Sequence, residues 1–418
     1  MKVLWFSNYR FSNEPVKGTC SWIKPMGVAV SQYDNIELYN IVHTSLPSLT
    51  QETYQGIKQY CLPIMTRDER RFSHSESPRF EEMISKIISE INPDIIHFWG
   101  TESNFLSIWE KGLIVCPAFV DIQGVMSTIA PNMTKCLSFL EQLSVNLGLF
   151  ELRHLPDMMF LKKRYYKKKG VQEIKRLSTF KYISVQSDWT EAQLKGRLPK
   201  AQFLHTGIIL RDEFYSAKPW QWHDNREPVL FSCASSMTIP YKGLYTLLKS
   251  LVIIKKSYPN VQLRLAGAKP KSNSLKPGFE RLLNRFVRRN DLTDNIVFLG
   301  PLDASQLCYE LSQSDICVVP SYVETYCLSL AEAQMIGTPC VVSHAGAMPE
   351  IAQPNEEAYF YDPLDEYMLA YKTMLLFSDK DRCLQFSKKS RERRKRENDL
   401  FTLAENQVEI YNRIIKES

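Results

Sequence analysis

Two carboxylates, one lysine and the start of one helix carry the chemistry this sequence could perform. Glu324 and Glu332 stand eight residues apart in SDICVVPSYVETYCLSLAEAQMIGTPCVVSHAGAMPE, residues 314–350. Ionised carboxylates accept hydrogen bonds from vicinal hydroxyls, as in a ribose or a hexose. Lys242 and Gly243 close the run CASSMTIPYKG. A lysine there can bring an ammonium to a diphosphate while the glycine lets the backbone approach. With 46 acidic residues in 418, an eight-residue spacing of two glutamates recurs by chance, so the context carries the weight.

That context is a change of period. Ile316–Val319 is a short apolar run, read as a buried strand of a parallel sheet. Pro320 and Ser321 end it, and a polar loop runs to Cys327. Leu328–Ile336 is rich in Leu, Ala, Glu and Gln, good helix formers, and Gly337 with Pro339 stops it. Cys340–Ser343 is a second apolar run. The unit is strand–loop–helix–strand, right-handed by default. Its helix opens at the carboxyl edge of the sheet, where free N–H groups and a partial positive charge attract phosphate.

The same alternation fills the chain. Residues 3–6, 95–98, 114–120 and 182–185, then Phe203 and Leu204, read as strands separated by helical stretches. The polar, tryptophan-bearing stretch 216–227 reads as a linker between domains 1–215 and 228–392. From Val229 the alternation restarts with VLFSC, VQLRLAGA, NIVFLG, ICVVP, CVVS and AYFY. The tail is helical in character and heavily charged before Leu400.

The pattern Glu324-Thr-Tyr-Cys-Leu, Glu332-Ala, Gly337-Thr-Pro and Gly346-Ala-Met-Pro-Glu350 resembles the E-x7-E signature of retaining glycosyltransferases of family 4. The resemblance is close over 229–362 and looser before it. It implies the GT-B fold: α/β, two Rossmann-like doubly wound domains facing each other across a cleft. A last helix, about 393–418, would cross back to the first domain. It further implies transfer of a sugar from a UDP- or GDP-sugar to a glycan or lipid-linked glycan acceptor, without a metal or cofactor. The setting it implies is capsule, O-antigen or other surface-polysaccharide biosynthesis. On that resemblance Glu332 binds the nucleotide ribose, and Glu324 faces the donor sugar. Lys242 and the backbone N–H groups of Tyr326, Cys327 and Leu328 hold the diphosphate. Gly267 and Leu302 lie toward the base. Gly18 and His97 fall on the acceptor side, and Gln123 stands where many members carry a histidine. Two departures accompany it: Ser235, Ser236 and Met237 occupy the space where an arginine usually precedes the lysine, and Gln123 cannot titrate near neutrality. Both support a rival reading, a degenerate binding subunit of a polysaccharide assembly complex. A lone histidine at a strand end, such as His97, is also commonly structural.

Composition narrows the field. A net charge of +6 over 418 residues is too mild to argue for nucleic acid, and no finger, helix-turn-helix or stacking motif accompanies it. Neither half opens with G-x-G-x-x-G, which argues against a dinucleotide oxidoreductase. Ten cysteines without a C-x-x-C pair suit a reduced, cytoplasmic chain, and the opening MKVLWFSNYR suits a strand better than a leader. The basic run Lys162–Lys169 beside apolar 158–161 suits either a solvated helix face or peripheral contact with an anionic membrane.

Overall fold

The computed structural model describes residues 1–14, 22–66, 69, 76–224, 226–234, 237, 239–267 and 276–418. Gly18, expected on the acceptor side, lies outside the described residues, as do Ser235 and Ser236. Two sheets form two α/β domains. The first contains β1 (Lys2–Phe6), β2 (Glu37–His43), β3 (Thr50–Tyr54), β4 (Ile57–Leu62), β5 (Ile95–Trp99), β6 (Ala118–Asp121), β7 (Tyr182–Val185) and β8 (Gln202–His205). Its order is β3-β4-β2-β1-β5-β6-β7-β8. Every pairing is parallel except β3 with β4, a hairpin turned through Gln55 and Gly56, both at positive φ. That hairpin escaped the sequence reading because its strands are short and β3 is half exposed.

The second sheet contains β9 (Val229–Ser232), β10 (Gln262–Ala266), β11 (Ile296–Gly300), β12 (Ile316–Val319), β13 (Cys340–Ser343) and β14 (Ala358–Tyr361), in the order β11-β10-β9-β12-β13-β14. All its pairings are parallel. β12 and β13 are buried on both faces, which is why they read as unbroken apolar runs. The order reverses between β9 and β12. Ligands of such sheets bind beyond the carboxyl ends of the strands at that switch point. Lys242 follows β9, and Glu324 follows β12.

Two boundaries differ from expectation. The stretch 216–227 is no free linker: Trp220 is buried, with its indole N–H on the Ser314 carbonyl at 2.8 Å and its backbone N–H on the Ile336 carbonyl at 2.8 Å. Leu210 and Phe214 already pack into the second domain's core. The crossing therefore precedes Leu210. The polar residues around Trp220 and Trp222 hid this, because two tryptophans alone make no strand or helix period. At the other end, 393–418 is not one helix. Helix Lys380–Glu397 stays on the second domain, where Arg393 holds Glu357. Asp399 then caps a new helix, Leu400–Lys416, its carboxylate accepting the Thr402 N–H at 2.9 Å.

Only that last helix crosses back. Tyr411 accepts the Trp5 indole N–H at 2.9 Å, and Val408 and Ile414 pack with Val3 and Val30 under the first sheet. The break falls at Asn398, whose side-chain amide is spent on the Ile208 carbonyl and the Tyr326 hydroxyl.

Candidate active site

A cavity of about 670 Å³ lies between the domains, at the carboxyl ends of β9 and β12. The first domain lines it with Trp22, Asp121 and Gln123, the crossing segment with Arg211, and the second domain with Lys242, Glu324, Glu332 and the residues that open helix Leu328–Ile336. Gly267 and Leu302 line it as well.

Lys242 is placed by its glycine. Gly243 has φ of +77°, and a Cβ there would lie 1.9 Å from the Pro320 carbonyl oxygen. Only glycine permits that approach of the first loop to the end of β12. It sets the Lys242 ammonium 2.7 Å from Glu324 Oε1. Burial opposes the charged ammonium, but the neighbouring carboxylate outweighs it, and the lysine titrates above its ordinary range. The two side chains expected to hold diphosphate and sugar are thus paired with each other.

The Glu324 loop is pinned from both sides. Its carbonyl accepts the Ala347 N–H at 2.9 Å, and a Cβ on Gly346 would meet that carbonyl at 2.2 Å. Across the cleft, Thr325 donates its hydroxyl to the Gln123 carbonyl at 2.9 Å, and its own carbonyl accepts the Ser187 hydroxyl at 2.6 Å. Glu350 caps helix Asp188–Lys195 of the first domain, taking the backbone N–H groups of Asp188 and Trp189 at 2.8 Å each. Cys327 adopts a left-handed backbone at φ of +81° immediately before helix Leu328–Ile336. Such a conformation costs a non-glycine residue roughly 1–2 kcal/mol and is held only by its surroundings. It turns the helix start into the cavity, where the N–H groups of Leu328 and Ser329 precede the first bonds of the helix, those of Leu330 and Ala331 to the Cys327 carbonyl. Tyr326 contributes backbone there, because its phenol is held by Asn398 at 2.8 Å and Arg394 at 3.4 Å.

Glu332 is buried and meets Arg211, whose Nη2 donates to Oε1 at 2.6 Å. Burial pushes the Glu332 carboxyl up, and Arg211 works against that shift. Arg211 did not stand out in the sequence. A cation ending the apolar run Ile208-Ile209-Leu210 was the available signal, and its partner lies 121 positions away. Asp121 was also passed over in favour of Gln123. It closes β6 and accepts from Ser184 at 2.7 Å, Thr206 at 3.1 Å and Gln186 at 2.6 Å. Burial raises its carboxyl to about 6 in spite of those three donors.

His97 is a correction. It does not line the cavity but is fully buried between Trp99 and Phe119, with Nδ1 3.1 Å from the Tyr411 hydroxyl. Burial drives its imidazole well below the ordinary range, so it serves the packing of the last helix against the first sheet. Among the described residues no group of three or more His, Cys, Asp or Glu side chains is arranged to hold a metal ion, and no helix is long and apolar enough to cross a membrane.

Residues 221–393 match the family described as Glycosyl transferases group 1. The D-inositol 3-phosphate glycosyltransferase of Corynebacterium kroppenstedtii is 30% identical over 142 residues, covering 34% of this chain and 31% of that protein. Glycogen synthase of Mycobacterium tuberculosis is 24% identical over 170 residues, 41% of this chain and 39% of the relative. These matches span about a third of the relatives' lengths. Whole-chain likeness comes from solved structures. A sucrose-phosphate synthase from Thermosynechococcus elongatus has a TM-score of 0.74 at 17% identity, with all of both chains covered. HepE of Anabaena, in complex with UDP and glucose, has a TM-score of 0.64 at 14% identity, with 99% of each chain covered. The fold is GT-B, and the match to the group 1 family falls on residues 221–393, largely the second domain.

Proposed function

We propose that this chain is a retaining glycosyltransferase that moves a sugar from a UDP- or GDP-sugar to a glycan acceptor. One observation carries the reading: Lys242, Glu324, Glu332 and the start of helix Leu328–Ile336 converge on a single cavity that Gln123 completes from the first domain and Arg211 from the crossing segment. The nucleotide lies on the second domain, its ribose hydroxyls on Glu332 and its base toward Gly267 and Leu302. The diphosphate rests on the helix start and on Lys242. Glu324 faces the sugar, and the acceptor enters over Gln123.

The demanding step is departure of the nucleoside diphosphate. Negative charge grows on the phosphate oxygens while the sugar becomes cationic. Donors already aimed at that charge need not reorganise, and each contributes roughly 3–4 kcal/mol. The helix start is such a donor set. Lys242 is held ready by Glu324 and reaches the diphosphate by sharing its three N–H bonds between carboxylate and phosphate. Attack from the same face, assisted by the leaving phosphate, gives retention without a carboxylate nucleophile or a metal. The acceptor we favour is a lipid-linked glycan of surface-polysaccharide biosynthesis, met at the cytoplasmic face of a membrane.

The test is consumption of nucleotide-sugars by the purified chain. Lys242→Ala and Glu332→Ala should each lower turnover by roughly 100-fold, the rate equivalent of about 3 kcal/mol, with folded circular dichroism spectra. Near-normal turnover in both would remove the assignment. Stabilisation by UDP- or GDP-sugars without any consumption would favour a binding subunit instead.

A further inference from the structure

The segment between Ser138 and Phe160 is built inside out. Helices Phe139–Asn146 and Leu149–Arg153 turn polar side chains inward. Glu151 is buried and accepts the Gly278 N–H at 2.6 Å and Arg281 Nη1 at 2.9 Å. Glu141 accepts the Tyr245 hydroxyl at 2.5 Å, and Asn146 accepts the Phe160 N–H at 3.0 Å. Phe139, Leu140, Leu147, Leu149, Leu152 and Phe160 face outward instead, each between 59% and 76% exposed. Single exposed apolar residues are ordinary, but six within 22 positions form a ledge that water alone does not favour.

The following helix, Met159–Leu177, supplies charge beside it. Arg164, Lys167 and Lys168 are exposed on its surface. Lys163, Arg164, Lys167 and Arg197 also rim a groove of about 860 Å³ whose walls include Pro131, Phe160 and Val171. A second copy of the chain docked on this ledge would bring two such basic runs together. An anionic surface is complementary to both features at once.

We propose that this ledge inserts into the interface of a bilayer containing anionic lipid, with the basic run lying on the headgroups. The contact so assigned is centred on 139–160, and Lys162–Lys169 supplies its electrostatic half. Buried apolar side chains give the affinity, and the bases give the preference for negative lipid. The inference rests on the membrane part of the proposed function and is independent of the transfer chemistry.

The experiment is co-sedimentation of the full chain, without donor, on phosphatidylcholine vesicles with and without phosphatidylglycerol. Wild type should partition onto the anionic vesicles. Leu140→Ser, Leu149→Ser and Leu152→Ser combined should abolish this at an unchanged melting temperature. Arg164→Gln, Lys167→Gln and Lys168→Gln combined should weaken it roughly 100-fold, at about fivefold per charge. Both variants should still consume nucleotide-sugar in solution, which separates this docking from the catalytic reading. Failure of wild type to bind either vesicle, or binding that survives the triple serine change, would overturn the proposal. So would a wild-type dimer that the serine variant converts to monomer.

Discussion

Removing the Arg211 guanidinium tests how the cavity is held together. Its Nη2 lies 2.6 Å from Glu332 Oε1, and both side chains are less than a tenth exposed. Two unit charges about 4 Å apart at an effective dielectric constant of about 20 attract by roughly 4 kcal/mol. Deleting one member of such a buried pair costs about 3–5 kcal/mol, because the other is left buried and uncompensated. Glu332 has an escape, since it can take up a proton. Burial already raises its carboxyl, and Arg211 is what opposes the rise, so losing the arginine raises it further. In Arg211→Ala the folded state then binds a proton that the unfolded state has released, and stability falls as pH rises. We expect a loss of about 3 kcal/mol near pH 8 and clearly less near pH 5. The assay is urea denaturation of wild type, Arg211→Ala, Glu332→Ala and the double variant at both pH values. The double variant should lose much less than the sum of the singles, a coupling of about 3 kcal/mol. Additivity within about 0.5 kcal/mol, or a loss independent of pH, would refute the reasoning.

Other outcomes follow from the same geometry. Gly243→Ala places a methyl group against the Pro320 carbonyl and forces alanine to positive φ, so it should cost roughly 2 kcal/mol or more and retract Lys242. Thermal melts and turnover should both fall, and an unchanged pair would mean that the two loops do not meet. Asp121 sits at about 6 in the folded chain against roughly 3.9 unfolded, so the folded state holds the extra proton between those values. Its contribution is therefore full below about pH 4 and is lost as pH rises to about 6, on the order of 3 kcal/mol. Asp121→Asn should flatten that part of the stability profile, and an identical slope in denaturation titrations would count against the buried carboxyl.

What the linear chain determines by itself is the local grammar. Strands such as Ile316–Val319 and Tyr182–Val185 are legible because a strand buried on both faces has to be apolar throughout. The helix after Cys327 and the glycine after Lys242 are legible because helix propensity and positive φ are properties of a few neighbouring residues. Those features placed Lys242 and Glu324 in the loops that follow strands and Glu332 in the helix after one of them, and parallel sheets put the carboxyl ends of strands at the ligand edge. Only the tertiary structure decided the partners. Glu332 meets an arginine 121 positions earlier, Lys242 meets the glutamate expected to face the sugar, and Trp220 closes onto the second domain. His97 was read toward the acceptor side, but β1, β6 and the last helix enclose it. Burial and charge pairing depend on which distant segments arrive at the same point, and no local pattern of residue types encodes that arrival.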